Sequence, residues 1–232
     1  MSEYRYSRRR VLDRVIDQLR RNDSPRPTDR ELSRVRGLTE DERAALSLLA
    51  RGEPQRARQG SDPSGGKPED RATASGTRRR SSTEAAITGA LKVALKETGM
   101  DVAVLGEVCD GREVVRYLAG DGVSFGLSPG ASMPIEDTYC HRLLTGRLSN
   151  VVPDAQANEQ VRDLEITRAA RVGAYIGVPL TGLDARLYVL CCLAHEQRPQ
   201  LGERDVLFLR DLGQAVLTGL EKRPTLHTNI PT

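Results

Sequence analysis

The stretch "IEDTYCHRLLTGRLSNVVPD", residues 135–154, changes character halfway along. Its first half predicts a helix over about 135–144. Gly146 follows as the stop, because a helix end commonly needs a left-handed residue and glycine adopts that conformation without strain. The second half, "NVVPD", reads as a short strand. The same stretch sets Cys140 directly against His141 in a chain with four cysteines and three histidines.

On both sides of this segment lie hairpins. Upstream, "MDVAVLGEV" (100–108) reads as a buried strand, Asp110-Gly111 as a tight turn, and "EVVRYLAG" (113–120) as the returning strand. The loop "DGVSFGLSPGASMP" then leads into the helix. Downstream, a helix is predicted around 159–171. "GAYIGVPL" (173–180), a turn at Gly182-Leu183-Asp184 and "RLYVLCCLAHE" follow as a second hairpin. Ser81-x-x-Glu84 is a capping box before Ile87, Leu91, Ala94 and Leu95, and that helix ends at Gly99. A last helix repeats Val206, Leu209, Leu212, Val216 and Leu220 and stops before Pro224. The order helix, hairpin, connecting helices, hairpin, helix predicts an α+β domain, with an antiparallel sheet of about five or six strands flanked by helices.

The front of the chain is different. Residues 1–82 carry 20 Lys and Arg against 13 Asp and Glu, and residues 83–232 carry 15 against 19. The front is thus about +7 and the remainder about −4. Val11, Leu12, Val15, Ile16 and Leu19 recur at helical spacing among arginines. Capping boxes at Thr28-x-x-Glu31 and Thr39-x-x-Glu42 precede two further short helices. Residues 52–82 are rich in Gly, Pro, Ser and charge and almost without apolar groups, which predicts a flexible linker. The expected organisation is a short basic helical region at 1–51, a linker at 52–82, the main domain at 83–222 and a disordered tail at 223–232.

Composition excludes several classes. No apolar run reaches the roughly 18–20 residues of a membrane span, and the start has neither an apolar core nor a small-residue cleavage site. The expected location is the cytoplasm, where reduced thiols are the default. Arginine outnumbers lysine 31 to 4, as GC-rich bacterial coding would give. Ser-His-Asp order, a phosphate-binding GxxxxGK[ST] loop and a zinc-protease HExxH are all missing, so no enzyme is expected.

Four segments together resemble the GAF domain, a small-molecule sensor module of bacterial signalling proteins. They are "DVAVLGEVCDGREVVRYLAGDG", "IEDTYCHRLLTGRLSNVVPDA", "TRAARVGAYIGVPL" and "LYVLCCLAHEQRPQLGERDVLFLRDLGQAV". The resemblance implies a pocket between the sheet and the connecting segments, with flanking helices that mediate dimerisation. By position in the family pattern, the ligand-binding candidates are Phe125, Tyr139, Cys140, Asp154, Tyr175 and Cys192. The aromatic and thiol groups would supply apolar contact and Asp154 would orient a polar group.

Three other chemistries compete for Cys140-His141. Bilin-binding GAF domains attach their chromophore to a cysteine in the helix after the short strand, but residues 155–171 contain neither Cys nor His. The GAF-fold reductases of free methionine sulfoxide place a first cysteine where Cys140 stands, but residues 154–177 supply no second one, and Cys191 and Cys192 belong to a different strand. A metal site would draw on Cys140, His141, Cys191 or Cys192, and His195. Helix neighbours point about 100° apart and strand neighbours to opposite faces, so these pairs do not converge, and no metal is expected.

The reading is a cytoplasmic, non-enzymatic regulatory protein. Its GAF-like domain binds an unidentified small molecule and modulates a homodimer or a regulatory protein partner, and its cofactor is unknown. An alternative is a ligand-free dimerising scaffold whose basic front contacts nucleic acid or a regulator.

Overall fold

The computed structural model describes Arg43, residues 68–182 and residues 185–221, with side chains for Arg43, 83–182 and 185–220. The helices expected between residues 6 and 51 lie outside these residues, apart from Arg43, which is helical. The tail at 223–232, and Leu183 and Asp184 of the second turn, also lie outside them.

In chain order the elements are helix α1 (Pro68–Thr98), strands β1 (Val102–Cys109), β2 (Arg112–Gly120) and β3 (Ser132–Pro134), and a 3-10 turn at Ile135–Asp137. Helix α2 (Tyr139–Leu144), strand β4 (Val151–Val152), helix α3 (Glu165–Ala169), strands β5 (Ala174–Thr181) and β6 (Leu187–Ala194), and helix α4 (Glu203–Glu221) follow. The strands form one antiparallel sheet in the order β3-β2-β1-β6-β5-β4. This is the α+β class expected from the sequence. The first hairpin closes through Asp110 and Gly111 at φ of 51° and 70°. Two successive left-handed residues match the twist of the strands they join.

Alternation along the strands divides the core between two faces. Ala103, Leu105, Ile176, Val178, Leu190 and Cys192 face α1 and α4, where Ile87, Leu91, Leu209, Leu212 and Val216 pack against them. Val104, Val115, Tyr175, Val189, Cys191 and Leu193 face the other way, toward α2 and the loops around it. A β-bulge breaks the β1–β2 register at Arg116, so Gly106 pairs with Val115 but Leu105 pairs with Tyr117. The bulge turns the Arg116 side chain to Glu107, 2.5 Å away, and reverses the facing of β2 beyond it.

Several elements differ from the sequence expectation. Helix α1 begins at Pro68, so the backbone of 68–82, read as linker, is helical. Proline is tolerated in a helix's first turn, no other proline occurs up to Thr98, and Ala and Arg are good helix formers. A lack of apolar residues marks a segment without a core, not one unable to coil. The helix expected over 135–144 is a 3-10 turn and a shorter helix, divided at Thr138, whose extended backbone makes it the N-cap of α2. Of the helix expected over 159–171 only Glu165–Ala169 forms. The Val161 carbonyl closes a tight turn by accepting from the Leu164 N–H at 3.1 Å. It also accepts from the buried Thr167 hydroxyl at 2.7 Å, in place of the bond a continuous helix would give it. "NVVPD" contributes a strand of two residues, and Ser132–Pro134, read as loop, pairs with β2.

Candidate functional site

On the face away from α1 and α4, between the sheet and α2, lies a cavity of about 60 Å³. One water needs roughly 10–15 Å³ of such space, so there is room for a small molecule or one end of a larger one. Val104, Val115, Leu127, Met133, Ile166 and Leu193 form apolar walls. The polar groups among them are Glu113, Asp137, Thr138, Tyr139, Cys140, Tyr175 and Cys191.

Each polar group is placed by a local device. Thr138 caps α2, its hydroxyl accepting from the His141 N–H at 3.2 Å and donating to the Ile135 carbonyl at 2.8 Å. The cap fixes the first turn, which carries Tyr139 and Cys140 inward. Tyr139 is tied through its hydroxyl to Thr167 Oγ1 at 2.6 Å, and burial pushes its pKa up to about 12. Its ring stacks on Tyr175 with centroids 4.8 Å apart.

Two glycines make room on the sheet. A Cβ at Gly177 would lie 2.1 Å from the Tyr175 hydroxyl, and one at Gly106 would lie 2.6 Å from Glu113 Oε1. Both distances are shorter than real contacts allow. The Tyr175 ring and the Glu113 carboxyl therefore occupy space that any other residue at these two positions would fill.

The electrostatics are those of acids whose charged forms burial disfavours. Glu113 is 5% exposed, and burial raises its pKa, although the Cys140 thiol and the Thr138 hydroxyl pull it part of the way back. Cys140 Sγ donates to Glu113 Oε1 at 3.1 Å. Its own pKa is held well above the usual thiol value by Cys191 first, then by burial and by the Glu113 charge. The Tyr175 hydroxyl is buried without a hydrogen-bond partner. Burial raises its pKa first, and the neighbouring Cys140, Cys191 and Glu113 raise it further. An unsatisfied buried hydroxyl costs about 1–3 kcal/mol.

Of the six residues named from the sequence, Tyr139, Cys140 and Tyr175 line this cavity and three do not. Phe125 stacks on His195 with centroids 4.1 Å apart, and His195 Nε2 meets Ser124 Oγ at 2.8 Å. Asp154 accepts from the Ala157 N–H at 3.1 Å and from Gln197 Nε2 at 2.7 Å, which ties together two loops. Cys192 is fully buried on the helix-covered face. Its neighbour Cys191 takes the cavity side, in register with Val104 and Gly177. Cys140 and Cys191 lie on different elements, far apart along the chain; packing α2 over the centre of the sheet brings them together. Their sulfurs and a Glu113 oxygen all lie within 4.8 Å of one another, a constellation the sequence reading did not contain. His141 takes no part in it.

A family model described as "GAF domain" matches residues 28–219. Among solved structures, the GAF domain region of a putative membrane protein from Geobacter sulfurreducens is 20% identical, with TM-score 0.50, over 62% of this chain and 96% of that one. A free methionine-R-sulfoxide reductase from Neisseria meningitidis, in complex with its substrate, is 19% identical with TM-score 0.47, over 60% and 78%. A phycocyanobilin-bound GAF domain from a cyanobacterial phytochrome is 17% identical with TM-score 0.45, over 66% and 93%. At these identities the likeness is one of fold. No curated protein matches the chain.

Proposed function

The chain belongs to the GAF domain family, and from that premise we propose that its non-enzymatic, ligand-sensing role is carried by the cavity beside α2, where a small molecule binds and alters helix-mediated association. The observation that carries this reading is the pairing of a void with an unsatisfied Tyr175 hydroxyl on its wall. A ligand with one hydrogen-bonding group and a compact apolar body would satisfy both. Ordering α2 is the step by which occupancy would reach the rest of the fold, because Tyr139 and Cys140 are its first two residues. The output would be a homodimer or a regulatory protein partner, in the cytoplasm. Among the described residues no helix is long and apolar enough to cross a membrane.

The site's chemistry supports a sensor over the two enzyme or chromophore precedents. Cys140 is held as a neutral thiol, whereas a nucleophilic sulfur needs its pKa lowered. A cavity of about 60 Å³ does not contain a tetrapyrrole.

The test is a thermal-shift screen of the full chain against nucleotides, amino acids and short-chain metabolites, run beside Val115→Phe, which fills the cavity with a ring. At least one compound should raise the melting temperature of the natural protein and leave the filled variant unmoved. A panel without any shift, or a shift that survives Val115→Phe, would count against the cavity.

A further inference from the structure

Glu113, Cys140 and Cys191 come from a strand, a helix and another strand. They nevertheless turn a carboxylate oxygen and two sulfurs toward one point, all within 4.8 Å of each other and all buried. We propose that these three side chains form a binding site for a borderline-soft divalent cation of the zinc type, open on one side to the cavity. The inference rests on the cavity being the sensing site, and it narrows the occupant to a metal ion or to a small molecule held through one.

The donor set decides the class of cation. Two thiols select against magnesium and calcium, which take oxygen ligands, and favour zinc-like ions. A two-sulfur, one-carboxylate set leaves the fourth tetrahedral position free, as in zinc sites that exchange a ligand. The free position falls on the cavity side, because all three residues line it. A water or a donor atom of a small molecule would complete the coordination.

Charge and hydrogen bonding agree with this. Three acids packed this closely out of water cannot all ionise by themselves. A divalent cation would displace the two thiol protons, and any proton on Glu113, to solvent, leaving one net negative charge. The Tyr175 hydroxyl, a buried donor with no acceptor, lies beside Cys140. With Cys140 as a thiolate it would gain one, and a donor to a coordinating sulfur stabilises that charge. The same unpaired hydroxyl is an observation independent of the three donors. Gly106 serves the site as well, since a side chain there would push the Glu113 carboxyl out of place.

The experiment uses the full chain, purified with chelator and reductant, and titrated with zinc and then with cobalt(II) as a spectroscopic stand-in. One equivalent should bind. Cobalt should show a thiolate-to-metal charge-transfer band and the visible bands of a tetrahedral ion. Cys140→Ser and Cys191→Ser should each abolish the charge-transfer band or reduce it sharply. Glu113→Gln keeps the side chain's shape, so it tests a ligand without emptying the core, and it should weaken binding. Tyr175→Phe should weaken binding by about 10-fold, the lower end of the effect of losing a partner to a ligand. Cys192→Ala, one residue away on the opposite face, should leave the spectrum unchanged. Absence of stoichiometric binding would overturn the proposal, as would a spectrum that survives both cysteine replacements. A Cys140–Cys191 disulfide in oxidised protein whose reduced form binds no cation would overturn it too, in favour of a thiol switch. If zinc fails while a metabolite still gives a shift that Val115→Phe removes, only the metal falls. If both fail, the sensing cavity falls with it.

Discussion

The two faces of the central sheet put the same strands to opposite uses. Toward α1 and α4 the buried groups are mostly aliphatic, with Leu105, Ile176, Leu190, Leu209 and Leu212 at the centre and Phe208, Met100 and Cys192 among them. Toward α2 the sheet buries a carboxyl group, two stacked tyrosines, two thiols and a void. Close packing on one side supplies the stability that the other side gives up by leaving space and an unpaired hydroxyl. The boundary is one residue wide: Cys191 and Cys192 are adjacent in sequence and point to opposite faces. A member of this family can thus change what it senses without changing what folds it, because strand alternation keeps the two sets of residues apart.

The largest effect that would sharpen this contrast is on the helix-covered side. Leu212→Ala removes a fully buried side chain from α4 and should lower stability by about 2–5 kcal/mol. Urea denaturation measures it, and a loss below about 1 kcal/mol would show that this face is not the close-packed one. On the cavity side Val115→Phe adds a ring where space exists, so its cost should lie at or below the low end of the roughly 1–3 kcal/mol of overpacking. A loss as large as that of Leu212→Ala would mean that the void closes in solution.

Tyr175→Phe should have a smaller effect and the opposite sign. Deleting a buried donor that has no acceptor should leave the ligand-free protein as stable or stabilise it by up to about 1 kcal/mol. Destabilisation in the melting curve would reveal a partner for the hydroxyl.

A subtler effect concerns Glu113 in chelator-treated protein. Burial raises its pKa in the folded state above the ordinary 4.5 to which it returns on unfolding. Between those two values the native protein keeps a proton that the unfolded chain has released. The folded state is therefore favoured at the low end of this window, and the advantage is lost as pH rises through the raised value. Urea midpoints across mildly acidic to neutral pH should show this decline in the natural sequence and a flatter profile in Glu113→Gln. Equal slopes would place the carboxylate in solvent.

Much of this contrast was legible in the sequence, and the rest was hidden for identifiable reasons. Asp110-Gly111 marks the first hairpin because few residues accept two left-handed positions in succession. The inward turn of Tyr139 and Cys140 follows from a short helix over the sheet. Glu113 escaped notice because a charged residue in a strand ordinarily points to solvent. Glu113 does share the cavity face with Val115. The bulge at Arg116, however, reverses the alternation beyond them, so Tyr117 and Ala119 face the helices and the strand as a whole shows no single apolar face. "LYVLCCLA" is apolar on both sides, so nothing in β6 distinguishes Cys191 from Cys192 until the neighbouring strands set the register. Phe125 and Asp154 belong to loops whose closure depends on His195 and Gln197, far along the chain. Helix α1 extends further back than an apolar stripe would mark, because its first half has helix formers but no such stripe.

The division of labour between the two faces is tested most directly by one paired measurement: the melting shift caused by the best compound of the screen, in Leu212→Ala and in Val115→Phe. Leu212→Ala should melt lower than the natural protein and keep the full ligand-induced shift. Val115→Phe should melt closer to the natural protein and lose the shift. A shift that persists in Val115→Phe, or that vanishes in folded Leu212→Ala, would contradict the assignment of binding to the α2 face.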